Sequence, residues 1–299
     1  MSGLPKQEEN WNALDIGYDY FRGSLWLISV ILNVLIFLPT VFIKDFRKNR
    51  FKNLLAQLAL GDIFLASNGL IMRFVTRREL KPATVLECAL TDLLSIAGYH
   101  ISHLAVFSIA LDRFIAVSYP VIYKKMCRSN LTIGRWILTI AITAINSCLV
   151  LARDDLLIGT TVYCSLTENW KLWYLKYLYA WVVSACIGSI VLYVLTIIQT
   201  RQILATQTEV QKKIYHTSLY IVLTYIAFWV IPKAVYLLAT TFFGKSTHFN
   251  FFSFWLIQLN GITDNVMTLA NFAIYGLRHR EVRLAIKHML CLRKALAVH

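Results

Sequence analysis

From residue 25 to residue 275 the chain runs through long stretches with almost no charge, separated by short runs rich in Lys and Arg. A helix rises about 1.5 Å per residue and a bilayer core is about 30 Å thick, so about 20 apolar residues cross it. Seven segments meet or approach that length: 25–43, 54–75, 84–117, 133–151, 173–198, 214–241 and 251–275. Asp62 falls in the second, and Asp92 and Asp112 in the third, which weakens their hydropathy. Both still count as spans, because the alternative leaves long apolar stretches in water. The 299-residue chain is 58% apolar and 15% charged, where a soluble domain has about 45–50% and about 25%. Soluble, disordered, collagen-like and disulfide-scaffold classes are excluded on that ground. The expected fold class is an all-α membrane protein, a seven-transmembrane helix bundle. An eighth stretch, 278–292, sets Val282, Leu284, Ala285, Ile286, Met289 and Leu290 among Arg280, Arg283 and Lys287, and reads as a short amphipathic helix on the membrane surface.

Orientation follows from the basic residues that flank the spans. The first, third and fifth connections together with the C-terminal tail hold 19 of the 30 Lys and Arg, so that side is expected to be cytoplasmic. Arg73, Arg77, Arg78 and Lys81, in the first outer loop, run against the bias. The expected organisation is an extracellular N-terminus (1–23), the bundle (24–276), and the amphipathic helix with a cytoplasmic tail (277–299) in the plasma membrane. The first twenty residues lack a basic start followed by an apolar stretch, so the first span is expected to serve as the targeting signal. The net charge of +14 is spread between apolar segments and not gathered on one face, which argues against a nucleic-acid partner. The six cysteines show no metal-binding spacing.

An ionisable group at the centre of a span costs at least about 2.5–3.5 kcal/mol, so each one is a functional candidate. Asp62 lies midway along the second span, in LALGDIF, and Asp112-Arg113-Phe114 ends the third, followed by Ala116-Val117, Tyr119-Pro120 and Tyr123. With Asn33 in the first span and Trp136 in the fourth, these residues resemble the rhodopsin-like family of G-protein-coupled receptors. The likeness runs from Leu25 to Leu292, with Phe114 where the family's Asp-Arg-Tyr segment has Tyr. Divergent members such as the serpentine chemoreceptors of nematodes are the most similar in their motifs.

The resemblance implies several roles. Cys88, 25 residues before Arg113, matches a cysteine that the family bridges to its second outer loop, where Cys164 stands. Asn271-Phe272-Ala273-Ile274-Tyr275 resembles the family's Asn-Pro-x-x-Tyr segment, with Phe272 in place of the proline that would kink the helix. Asp112, Arg113, Phe114 and Tyr275 are then the residues of G-protein coupling. Asp62 with Ser102, Thr268 and Asn271 implies a sodium site, since a hard cation takes several oxygens; a simple hydrogen-bonded network is the alternative. No other cofactor is expected. Cys291, at the end of the surface helix, is a candidate for palmitoylation.

The chain also departs from the family. Trp229-Val230-Ile231-Pro232 is one residue longer than the family's Trp-x-Pro, and 187–195 holds no proline. Lys212 stands where many members have an acidic partner for the third-span Arg, with Glu209 one turn earlier. The resting lock is therefore expected to rest on Asp112–Arg113 alone, with raised basal activity.

Sites in helical bundles lie between helices and need a few polar groups in an apolar cleft. The candidates for an outer pocket are Asp92, Ser95, Tyr99, Lys233, Tyr236, Asn260 and Asp264. Ser95 stands where amine receptors carry Asp, and Asn265 where opsins carry the Schiff-base Lys, which lowers the case for both ligand classes. Lys233 is expected either to receive a ligand carboxylate or to pair with Asp264. His100 and His103, one turn apart, are too few for a metal site and are expected to pack in the core.

The sequence reading is therefore a receptor, not an enzyme, whose partners are an extracellular ligand, a heterotrimeric G protein and membrane lipids. A non-signalling scaffold is the alternative. A transporter is weaker, because inverted repeats and paired broken helices are lacking.

Overall fold

The computed structural model describes residues 6–77, 83–127, 131–152, 160–161, 172–203, 219–235, 238, 249–277, 281–287 and 289. The elements in chain order are α1 (Lys6–Phe42), α2 (Lys44–Lys48), α3 (Arg50–Arg77), β1 (Ala83–Thr84), α4 (Val85–Ser118), α5 (Pro120–Cys127), α6 (Leu131–Leu151), β2 (Thr160–Thr161) and α7 (Leu172–Ile203). Then follow α8 (Leu219–Val235), α9 (Phe249–Asn271) and α10 (281–287). Among the described residues five helices are long and apolar enough to cross a membrane: Tyr20–Phe42, Arg50–Met72, Val85–Ser118, Leu131–Leu151 and Lys176–Thr200.

Helix boundaries follow local chemistry more than hydropathy. The first helix starts at Lys6, far ahead of the apolar stretch at 25. Hydropathy marks where a chain meets lipid, whereas no proline interrupts the helix before Pro39, in its last turn. The start of α4 is sharper. The Thr84 hydroxyl accepts from the Glu87 amide while the Glu87 carboxylate accepts from the Thr84 amide, so two orphan donors are satisfied at once. Pro120 opens α5, where its missing N–H costs nothing.

The helix α4 is the axis of the bundle, packing on α3, α6 and α7, while α1 lies against α3 and α9. Two glycines set the closeness of α3 and α4. A Cβ on Gly61 would sit 2.7 Å from the Ser102 backbone nitrogen, and one on Gly98 would sit 2.8 Å from that of Leu65. Only hydrogen fits at either position.

Helix α6 is inside out by the standard of a soluble protein. It buries Thr139 and Asn146 beside Val150, and exposes Ile133, Ile137, Ile140 and Ile145 by 60–62%. Apolar surface of that extent is stable against lipid and a liability against water.

Candidate functional site

Midway along the bundle, α1, α3, α4 and α9 contribute two adjoining buried polar sets. Asp62 accepts from the Ser102 hydroxyl and from the Asn271 amide, each at 2.9 Å. The carboxylate is 2% exposed, so these two donors are what makes its burial tolerable. Among the described residues the buried Asn271 Oδ1 meets no hydrogen-bond donor, which leaves acceptor oxygen beside the carboxylate. Thr268 belongs to a neighbouring set. Its hydroxyl meets Ser29 at 2.6 Å and donates to the Asn265 carbonyl at 2.8 Å. Asn33 donates to the Ser29 carbonyl one turn back. Sequence reasoning grouped Thr268 with Asp62 and overlooked Ser29, whose one signal is its position one turn before Asn33.

At the Arg113 end of α4 the pairing differs from expectation. Asp112, fully buried, pairs with the Arg50 Nε at 3.1 Å and also accepts from the Tyr123 hydroxyl at 3.3 Å. Among the described residues it makes no ion pair with Arg113. The Arg113 guanidinium instead lies 3.7 Å over the Phe51 ring, a cation–π contact with α3. The reason is tertiary: Arg50 opens α3 and is brought against α4 by the glycine-mediated crossing. In sequence it registers merely as one more basic residue. Phe114 meets Tyr119 edge-on at 6.3 Å. Beside this cluster, Gln57 donates to Thr139 and accepts from Arg135, both at 2.8 Å, tying α3 to α6. Ser118 donates to Gln199 and ties α4 to α7. Lys212 and Glu209 lie outside the described residues, as do Cys291 and the side chain of Tyr275.

Toward the Cys88 end, the pocket candidates divide. Lys233 Nζ meets Asp264 Oδ1 at 2.6 Å, and the Tyr99 hydroxyl donates to Asp264 Oδ2 at 2.9 Å, so α8, α9 and α4 converge on one carboxylate. Lys233 also sits 5.2 Å from the Trp229 ring. Ser95 turns away from this group and bonds Asn68 of α3. Asp92 is fully buried in α4, and Tyr236 lies outside the described residues. The two histidines go to different neighbours. His103 stacks on Trp229 at 4.0 Å and bonds the Tyr99 carbonyl, while His100 tilts on Trp181 at 5.5 Å. Cys88 is buried in the first turn of α4 and is disulfide-bonded; Cys164 lies outside the described residues.

Both altered motifs coincide with wide helical turns. Ile226–Val230 is π-helical, and so is Phe272–Leu277. A π turn takes up about one residue more than an α turn without disturbing the faces on either side. The extra residue before Pro232 is absorbed in this way, and Trp229 still reaches His103. At Phe272 the helix deforms without a proline, so the missing ring does not leave the segment regular.

Residues 26–290 match the family model described as serpentine type 7TM GPCR chemoreceptor Srsx. The chain belongs to the Srsx family. No curated protein matches it. As an Srsx chain it is a multi-pass membrane receptor of the chemosensory G-protein-coupled class, which is not a class of enzymes. The apolar helices and the lipid-suited face of α6 agree with that assignment.

Proposed function

We propose that this Srsx protein is a plasma-membrane receptor with seven spans and an extracellular N-terminus. It binds a ligand at the Cys88 end of the bundle and activates a heterotrimeric G protein at the Arg113 end. The observation that carries the reading is the family match across 26–290, joined to a separation of two polar centres along α4. Tyr99, with its Lys233–Asp264 pair, stands fourteen residues before Arg113. At about 1.5 Å per residue that is about 21 Å, most of the thickness of the bilayer core.

In this reading α8 and α9 complete the seven spans, and α10 lies along the cytoplasmic leaflet. Val282 and Ala285 are its buried face, and Arg283 and Lys287 its exposed basic one. Asp112 and Arg113, with Phe114 and Tyr275, couple to the G protein. Ligand binding shifts the bundle between two packings, and Arg113 leaves Phe51 to engage the partner. A sodium ion sits at Asp62 with the oxygens of Ser102 and Asn271, its charge matched to the carboxylate. Cys88 bridges Cys164: β2 pairs with β1 in the register Ala83↔Thr161 and Thr84↔Thr160, which brings residue 161 beside the first turn of α4. Cys291 carries a palmitoyl chain.

The test is nucleotide exchange on G-protein mixtures by receptor in lipid nanodiscs, with and without pools of odorants, organic acids, amines and peptides. Exchange by the wild type that Arg113→Ala abolishes at equal concentration of folded receptor is the expected result. Equal exchange by both proteins would refute the coupling role. Silence of both in every pool would favour the non-signalling scaffold.

A further inference from the structure

Among the described residues two membrane carboxylates hold a basic partner, Asp112 and Asp264, and they differ in reach. Asp112 is sealed, at 0% exposure, and Asp62 is at 2%. On the same scale Lys233 keeps 5% and Asp264 7%. Charged atoms do not face lipid at this depth, and the pair lies where α4, α8 and α9 meet through Tyr99, Lys233 and Asp264. Lys233 carries three N–H donors, of which one is used on Asp264 Oδ1. Asp264 has a second contact in the Tyr99 hydroxyl, which donates a hydrogen bond but brings no positive charge. The Trp229 face, 5.2 Å from the ammonium, and the His103 ring stacked on it supply an aromatic wall.

We infer that the Lys233–Asp264 pair recognises a zwitterionic ligand of the amino-acid type, whose carboxylate takes Lys233 and whose cation takes Asp264. The inference rests on the reading of this end as the ligand side, and it follows from charge balance. A monoanion that displaced Asp264 from Lys233 would leave a second negative charge uncompensated in a nearly dry site, at a cost of several kcal/mol. A monocation at Asp264 would do the converse. A zwitterion replaces one neutral pair by two, so each buried charge keeps a partner. Tyr99 remains on Asp264 throughout. The exchange also breaks the direct ion pair between α8 and α9.

Each half of the pair is tested alone by chemical rescue in thermal melts of purified receptor, with no G protein present. Acetate is expected to raise the melting temperature of Asp264→Ala, and methylammonium that of Lys233→Ala, by about 3 °C at tenfold the dissociation constant. Neither ion should move the wild type or the other variant. Absence of both rescues in folded protein would overturn the inference and leave a sealed structural pair. Should either variant fail to fold, wild-type receptor is methylated with aqueous formaldehyde and borohydride and mapped by mass spectrometry. Modified Lys233 in the folded protein supports an open pair, and unmodified Lys233 overturns it. Failure here leaves G-protein coupling untouched, and failure of coupling leaves these rescues interpretable.

Discussion

Replacing Gly61 by alanine should be among the costly single methyl additions on α3. The new Cβ would meet the Ser102 Oγ at 2.3 Å, the Ser102 backbone nitrogen at 2.7 Å and the Gly98 carbonyl oxygen at 3.1 Å. The hydroxyl can rotate away, but the backbone nitrogen is fixed in the middle of α4. Restoring ordinary contact means parting the helices by about 0.7 Å. That would stretch the Asp62–Ser102 bond, now 2.9 Å, to about 3.6 Å, beyond useful range. Overpacking contributes about 1–3 kcal/mol and the lost bond to a charged group about 1.5–3 kcal/mol. The better helix propensity of alanine returns about 1 kcal/mol. The net loss is about 1.5–5 kcal/mol, or a fall in melting temperature of roughly 3–20 °C. Tryptophan fluorescence melts in detergent read it directly, since the chain holds eight tryptophans. The control is Gly134→Ala in α6, where a Cβ meets nothing within 4 Å, and which should hold or raise the melting point. If Gly61→Ala melts within 1 °C of the wild type, the close crossing is not what fixes Asp62 against Ser102. A second readout follows from the same displacement. Sodium chloride should stabilise the wild type more than Gly61→Ala, compared with choline chloride at equal ionic strength.

Other expectations follow from the pairs at the Arg113 end. Arg50→Met strands the buried Asp112 and should destabilise by about 2–4 kcal/mol, less than a fully buried pair because Arg50 keeps 17% side-chain exposure. Melts and ligand-free nucleotide exchange would report it, and a variant matching the wild type in both would refute Arg50 as the partner that matters. Gln57→Leu removes the bond to Thr139 and the bond from Arg135, and should cost about 1–3 kcal/mol by the same melts. Lys52→Met should change stability by no more than about 1 kcal/mol, because its partner Glu281 is 70% exposed. A larger loss would mean that the contact of Lys52 with Phe46, 4.0 Å from the ring centroid, is what holds α2 in place.

Much of the architecture is legible in one dimension because a bilayer is a one-dimensional filter. Runs of about 20 apolar residues mark spans wherever they occur, and a capping pair such as Thr84 and Glu87 marks a helix start. The same logic flags Asp62 and Asp112, since a charge in a span must have a reason. The expected Lys233–Asp264 alternative is present as a pair, and Asp62 does gather Ser102 and Asn271.

Partner choice was not written in the sequence. Asp112 neighbours Arg113 in the chain yet pairs with Arg50, 62 positions away, because α3 and α4 cross at Gly61 and Gly98. Thr268 lies one turn from Asn271 on α9 yet faces Ser29 of α1. Ser95 holds a pocket position by count and is spent on Asn68. In each case hydropathy and motif spacing place a residue at a depth and near an end. The face it turns, and therefore the group it meets, depends on helix rotation and crossing. Those are set by where a missing Cβ lets two backbones touch and where a π turn shifts the register. Sequence marked which spans carry Asp62, Asp112 and Asp264, and tertiary packing decided which group answers each.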